Sequence, residues 1–370
     1  MNETKNIYKG EALSDSSAVK PRVALGMSGG VDSSMTAALL QDAGYDVVGV
    51  MCLFTEGASA EEAVRDARRV ADQLGIPFMV KDCVDRFACS VIDPFVDAYA
   101  AGQTPSPCVN CNVSCKILSL IEAADETDCA YVATGHYARV IKRDGRFAAA
   151  VAADAAKDQS YMLSMLTQDQ LSRLLLPLGD IAGGKPEVRR MAEERGLPTA
   201  SKSDSQDICF ICGSHVAFLE DRGVSPESGL IVNAQGQELG RHQGLHRYTV
   251  GQRKGIGIGG APEPYFVLDK DGESNQLVVG FAAEAKMKAA VAGSVNWQGA
   301  HAQDFEGLEC VVKLRYRQRA VPCVASVDAD GNLLISLREP QSLTAPGQYA
   351  VLYAEDTVLA AGPIVKVVRI

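Results

Sequence analysis

The stretch from Val23 to Leu40 constrains this chain more than any other. An apolar run, Val23-Ala24-Leu25, leads into Gly26-Met27-Ser28-Gly29-Gly30-Val31-Asp32-Ser33-Ser34. Apolar residues then recur at Val31, Met35, Ala38 and Leu39, the spacing of one helix face. The pattern predicts a strand, a tight turn and a helix. Gly29 and Gly30 leave the turn free of Cβ atoms, so N–H groups at the helix start can point at a bound anion. Ser28, Ser33 and Ser34 add hydroxyl donors. No lysine follows the glycines, so the turn is not the G-x-x-x-x-G-K-[ST] phosphate loop. The plain alternative is a Gly-rich strand-to-helix turn with no ligand.

The apolar run Val47 to Met51 follows the first helix closely and opens a βαβ unit. Ala63, Val64, Ala67, Val70, Ala71 and Leu74 mark an amphipathic helix closed by Gly75, and Phe78-Met79-Val80 gives a third strand. Phe87, Val91, Phe95 and Tyr99 suit a helix ending near Gly102, and Ile117 to Ala124 suit another after Asn112. Ala130 to His136 reads as a strand whose polar end lies at the carboxyl edge of a parallel sheet, where ligands bind in open α/β folds. Gly26, Met51 and Gly135 are therefore expected around one ligand.

Length and patterning set the domains. A chain of 370 residues exceeds what one core organises. Beyond about residue 215 the pattern changes to short alternating strands, with Asp271-Gly272 and Asp330-Gly331 as hairpin turns. The expected architecture is α/β: a loose leader over 1–20, a parallel-sheet nucleotide domain over 21–215, a small β-rich linking domain over 216–282 and a β-barrel over 283–370. Gly255 to Gly260 satisfies G-x-G-x-x-G literally, but Pro262 and Pro264 stand where a helix must start, so it is no dinucleotide fingerprint. No apolar run approaches a membrane span and no signal peptide is evident, which places the chain in the cytoplasm. Eleven cysteines in that compartment point to metal binding or sulfur chemistry, not disulfides. Net charge of −10 counts against general nucleic-acid affinity but leaves room for a local basic face.

Two cysteine clusters stand out. One runs from Thr104 to Cys115 with Cys108, Cys111 and Cys115; the other is Cys209-Phe210-Ile211-Cys212. Cys52, Cys83, Cys129, Cys310, Cys323 and Cys89 sit among apolar neighbours and read as core thiols.

The turn Ser28 to Ser33 resembles the pyrophosphate-binding loop of the N-type ATP pyrophosphatases. Several further motifs follow in order: Thr104-Pro105 with Cys111-Asn112, Ala133 to Ala138, Lys157 to Tyr161, Asp204-Ser205-Gln206 with Cys209-Phe210-Ile211, and Thr249 to Gly255. From about residue 22 onward the chain resembles the bacterial tRNA-specific 2-thiouridylases. That resemblance implies ATP-dependent replacement of the C2 oxygen of the wobble uridine by sulfur, in the tRNAs for Lys, Glu and Gln. It implies ATP at Gly26, Met27, Ser28, Gly29, Gly30, Val31, Asp32, Ser33, Met51 and Gly135, with Mg²⁺ on the pyrophosphate. It puts a persulfide on Cys209 and a nucleophile at Cys111, leaving a Cys111 to Cys209 disulfide after turnover. A cysteine desulfurase or a sulfur-relay protein is the donor it implies.

The chemistry agrees with those assignments. A carbonyl oxygen is a poor leaving group until esterified by AMP, and sulfur must arrive as a nucleophile, so thiolates serve best. The chain departs from the common pattern at Cys108, where the family carries an Asp as candidate acid/base. Cys108, Cys111 and Cys209 look like the ligand set of related thiolases that hold a [4Fe-4S] cluster. Three readings stay open: that cluster, a metal-free persulfide, and structural zinc.

The resemblance carries tRNA contact to His136, to Lys157, Asp158 and Gln159, to Arg315 and Tyr316, and to Gln348. Ser106, Pro107 and Cys108 are expected to line the pocket of the flipped base. Alternation over Lys313 to Arg319 predicts one basic strand face carrying Lys313, Arg315, Arg317 and Arg319, with Tyr316 behind it; the plain alternative is a solvated face. Two rival functions share part of this pattern. An amidating or lyase-type ATP pyrophosphatase has no use for the cysteines, and a non-catalytic nucleotide- and RNA-binding protein needs neither Asp32 nor Cys209.

Overall fold

The computed structural model describes residues 5–6, 20–202, 208–211 and 213–370. Most of the 1–20 leader, the Asp204-Ser205-Gln206 motif and Cys212 lie outside them. Of the leader, the backbone of Lys5–Asn6 pairs antiparallel with Ile141 and Lys142.

A five-stranded parallel sheet organises the first half, in the order Phe78–Asp82, Asp46–Leu53, Arg22–Gly26, Tyr131–Ala133, Leu174–Leu175. Both faces are covered, which is why its central strands read as continuous apolar runs. Val23 and Leu25 face the helices Val31–Asp42 and Ala58–Leu74 through Ala37, Leu40, Ala67 and Val70. Ala24, Val48 and Val50 face Ile117, Leu120 and Ala124 of the helix Ile117–Glu126. Each fully buried leucine or isoleucine in these layers contributes about 2 kcal/mol by transfer from water. From Arg22–Gly26 the chain adds two strands on one side, then returns to Tyr131–Ala133 on the other. The sheet therefore opens a crevice beyond Gly26 and Ala133, where strand order reverses.

The helix expected around Phe87 to Tyr99 runs from Val84 to Ala100 and contains a π turn at Ala88–Ile92. A second π turn, Asn112–Lys116, joins the short helix Pro107–Cys111 to Ile117–Glu126. Such one-residue insertions redirect side chains. Cys89, expected in the core, lies in the first of these turns and is exposed. Cys52, Cys83, Cys129 and Cys323 are buried, and half-buried Cys310 faces Cys323 across a strand pair, with Sγ atoms 3.6 Å apart.

The linking sheet holds Gly229–Asn233, Glu238–His242, Phe266–Asp271 and Gln276–Gly280. The Gly255 to Gly260 run is irregular and starts no helix. The last strands close a ring: Thr357–Arg369 pairs with Lys286–Ala292, which continues through Leu333–Ser342, Val321–Val327, Glu306–Lys313 and Tyr349–Ala354 back to Thr357–Arg369. Every pairing in the ring is antiparallel, so this is a closed barrel with no free edge. Among the described residues no helix is long and apolar enough to cross a membrane.

The barrel is fastened to the nucleotide domain by a hairpin that periodicity did not reveal. Arg139–Arg143 and Arg146–Ala150 pair with each other, and Ala150 pairs with Thr357 of the barrel. Gln298, fully buried, accepts from the Ala149 N–H and donates to the carbonyls of Leu163 and Leu166. Arg139 pairs with Asp356, and the Tyr161 hydroxyl donates to the Tyr349 carbonyl at 3.0 Å.

Candidate active site

The Gly-rich turn is built by contacts its sequence dictates. Met27 N–H donates to the Val50 carbonyl at 2.8 Å, and the Met27 sulfur fills the space over Gly49, where a Cβ would stand 2.5 Å from it. Gly29 adopts φ +68°, and a Cβ there would lie 2.6 Å from the Ala63 carbonyl oxygen. Ser33 Oγ bonds the Gly30 carbonyl and the Ser28 N–H, and Ser34 Oγ donates to the same carbonyl. The first-turn N–H groups of Val31–Asp42 then face the crevice without intrahelical acceptors. Gly135 closes the opposite wall: a Cβ on it would come within 3.0 Å of the Asp32 backbone and the Ser33 nitrogen. Gly29→Ala combines left-handed strain with a backbone collision. It is expected to weaken ATP binding at least about tenfold, near 1.4 kcal/mol, with a lower melting temperature; calorimetry and a thermal scan check both.

Two adjoining cavities result. One of about 300 Å³ is lined by Gly26, Met27, Ser28, Asp32, Ser33, Met51, Lys116, Thr134, Gly135, His136 and Gln159. Its size suits a small-molecule site. The second, about 580 Å³, shares Ser28, Asp32 and Gln159 with the first, adds Gly29, Gly30 and Val31, and carries Lys157, Lys185, Lys202, Tyr316 and Arg317. All ten residues expected to hold the nucleotide thus line one or both cavities.

Cys108 and Cys111 lie on the helix Pro107–Cys111. Cys111 is buried with Cys115, Phe87 and Val91, and Phe210 packs on the same cluster. The Phe210 ring lies 5.6 Å from Phe87, 5.3 Å from Phe95 and 5.3 Å from Phe218. That aromatic anchor brings its neighbour Cys209 towards Cys111. Phe210 was legible in the motif, but nothing in the sequence gave it this task.

Burial pushes the Cys111 thiol up to about 11, while the Lys116 ammonium pulls the other way. Desolvation also raises Cys108 and Cys209, and Lys116 opposes each shift. His136 bonds Thr134 Oγ1 through Nδ1 at 2.7 Å, and burial, with the Lys116 charge, pushes its pKa down to about 3. Its imidazole is neutral at physiological pH. Lys116 is thus the cation common to nucleotide cavity and thiols, and the sequence reading missed it: a single lysine after a cysteine cluster carries no periodic signal.

Cys111 feels the charge of both Cys209 and Cys108. Among the described residues no group of three His, Cys, Asp or Glu side chains is placed to hold a metal ion. Cys108 and Cys209 are exposed, whereas Cys111 is packed into its apolar cluster.

The residues expected at tRNA divide into two groups. Lys157, Gln159, His136 and Tyr316 line the cavities. Ser106 and Pro107 open the cysteine helix, with Cys108 exposed on it, and Gln348 donates to the Thr104 carbonyl at 2.8 Å, holding that segment against the barrel. Asp158 differs. It is 6 % exposed and its carboxylate accepts from Ala152 N–H, Ser160 N–H, Ser160 Oγ and Lys313 Nζ, which makes its side chain an internal joint. The basic strand face is corrected. The strand stops at Lys313, whose ammonium is drawn inward to Asp158, so exposed Arg315, Arg317 and Arg319 project from the turn that follows.

Comparison with known proteins bears on the whole chain. Residues 21–213 match the family described as tRNA methyl transferase HUP domain, 217–281 its PRC-barrel domain, and 287–364 the Aminomethyltransferase beta-barrel domain. The tRNA-specific 2-thiouridylase MnmA of Geobacter metallireducens is 44% identical over 359 residues, covering 93% of this chain and 96% of that protein. The one from Rhodospirillum centenum is 43% identical over 363 residues, covering 93% and 92%. Among solved structures, the U34-tRNA thiolase NcsA from Methanococcus maripaludis with its [4Fe-4S] cluster covers 57% of this chain and 67% of its own, at 18% identity and a TM-score of 0.34. A likeness so distant says nothing about where the thiols of this chain sit.

Proposed function

Because the chain belongs to the tRNA-specific 2-thiouridylase MnmA family, and is thereby a tRNA sulfurtransferase that uses ATP, we propose that it thiolates C2 of the wobble uridine, U34, in the tRNAs for Lys, Glu and Gln. One observation supports the reading: the same cation serves the Gly-rich turn and the thiols. Lys116 lines the cavity of the Gly-rich turn and acts electrostatically on Cys108, Cys111 and Cys209 together.

The C2 oxygen attacks the α-phosphate of ATP, giving an AMP ester and pyrophosphate. N–H groups at the start of Val31–Asp42, with Ser28 and Ser33, hold the phosphates and take up charge as it develops. Asp32 offers a hard carboxylate beside them, suited to Mg²⁺, which is held by one or two carboxylates plus phosphate oxygens. When bound, Mg²⁺ neutralises the departing pyrophosphate.

Sulfur reaches the site as a persulfide on Cys209, delivered by a cysteine desulfurase or a relay protein in the cytoplasm. The Cys111 thiolate attacks Cys209 Sγ, forming a Cys111–Cys209 disulfide and releasing hydrosulfide. Hydrosulfide adds to C2 and AMP leaves with the original oxygen. Two electrons from a cellular dithiol reset the disulfide. The base is flipped out between the segment Ser106-Pro107-Cys108 and neutral His136, while Lys157, Gln159, Arg315, Tyr316 and Gln348 receive the surrounding RNA.

The test measures AMP release and 2-thiouridine in tRNA digests, with a persulfide donor, with and without tRNA. The expected result is AMP and thiouridine appearing together and only with tRNA. AMP release indifferent to tRNA, with no thiouridine formed, would overturn the reading in favour of a small-molecule acceptor.

A further inference from the structure

The scheme above leaves Lys185 without a part, although it reaches the centre of the site. Its ammonium lies 2.6 Å from Asp32 Oδ2, and the Tyr137 hydroxyl donates to Asp32 Oδ1 at 2.6 Å, so both carboxylate oxygens are taken. We propose that Lys185 is a phosphate-binding residue of the ATP site, resting on Asp32 until nucleotide arrives and then transferring to the β and γ phosphates.

Three features point there. Lys185 is the second residue of the helix Gly184–Glu194, whose Val188 and Ala192 pack on Val31, Met35 and Ala38 of the turn helix. Its side chain is only 13% exposed, so a rigid helix pair delivers the ammonium. The helix start is pressed onto the turn that carries Lys157: Gly184 adopts φ +55°, and a Cβ there would stand 2.0 Å from Asp154 Oδ2. Finally, Lys157, Lys185 and Lys202 line the larger cavity together with Ser28, Gly29 and Gly30. Lys202 is tied to Asp66 at 2.6 Å.

The charges explain the exchange. A singly charged carboxylate competes poorly for an ammonium against a triphosphate tail, and losing Lys185 frees Asp32 for a divalent cation. Lys185 thereby keeps the carboxylate compensated in the empty enzyme and neutralises pyrophosphate in the filled one.

The inference rests on ATP occupying the Ser28 to Ser33 turn, and the test separates the two. Calorimetry measures ATP, AMP and inorganic pyrophosphate binding to the full chain and to Lys185→Met and Lys185→Arg. Lys185→Met is expected to weaken ATP and pyrophosphate tenfold or more and AMP less than about twofold, with Lys185→Arg within about threefold of the parent. Asp32→Asn, measured without divalent cation, is expected to bind pyrophosphate several-fold more tightly, because it removes a carboxylate that competes with the phosphates for the ammonium. Unchanged pyrophosphate affinity in Lys185→Met, equal losses for AMP and ATP, or no gain in Asp32→Asn would overturn it. A parent chain that binds neither ATP nor pyrophosphate would instead overturn the ATP reading beneath it.

Discussion

Cys111→Ala is expected to reduce tRNA thiolation by about a thousandfold or more while leaving ATP-dependent adenylation within a few-fold of the parent. The asymmetry follows from the layout. The Cys111 side chain packs with Phe87, Val91 and Phe210 and is absent from the walls of the cavity that holds the Gly-rich turn. Removing its sulfur takes away the nucleophile that liberates hydrosulfide and touches none of the phosphate donors. The Cys209 persulfide then accumulates, to be read as a mass gain of one sulfur on the intact protein. Cys209→Ala gives the same loss of thiolation without that mass. Parallel loss of AMP formation and thiouridine in Cys111→Ala would show instead that the thiol supports the nucleotide site, and the division of labour would have to be abandoned.

Lys116→Met is expected to slow alkylation of Cys111 at pH 8 roughly tenfold, and to slow thiolation with it. The sign is fixed by two opposing causes. Burial favours the neutral thiol and places Cys111 at about 11, and the Lys116 charge favours the thiolate. Without the cation the pKa rises further, so the thiolate fraction falls at every pH below it. The alkylation rate of the parent should climb about tenfold per pH unit across the neutral range, and that of the variant should run parallel and lower. His136, with its pKa near 3, adds no inflection around pH 6 to 7. A Lys116→Met profile superimposable on the parent would remove the cation from the mechanism. Lys116→Arg should recover much of the lost reactivity, because it restores charge at similar reach.

The Gly-rich turn was readable because its determinants are local. Gly29 needs positive φ, Gly30 leads into the helix, and the serines lie within one turn of what they bond. Gly135 was readable from strand polarity, since a parallel sheet sends its carboxyl ends to one crevice. What escaped depended on distant partners. Lys313 looked like part of an alternating basic strand, but its ammonium answers to Asp158, 155 residues earlier in the chain. Lys116 and Lys185 are isolated lysines whose meaning lies in the cavity they enter. Cys89 was misjudged because a π turn shifts the helical register by a residue, and composition does not encode that.

Gln298 has a meaning for how the molecule holds together under stress. Its side chain belongs to the barrel, yet its hydrogen bonds close the hairpin strand at Ala149 and the carbonyls of Leu163 and Leu166. Loosening the barrel would strand those buried polar groups in the neighbouring domain, at about 1 to 3 kcal/mol for each left without a partner. Neither half can then melt by itself cheaply. Barrel and parallel-sheet domain are therefore expected to unfold together, so that a defect far out on the barrel would be felt around Asp158 to Tyr161, beside the cavity wall at Gln159.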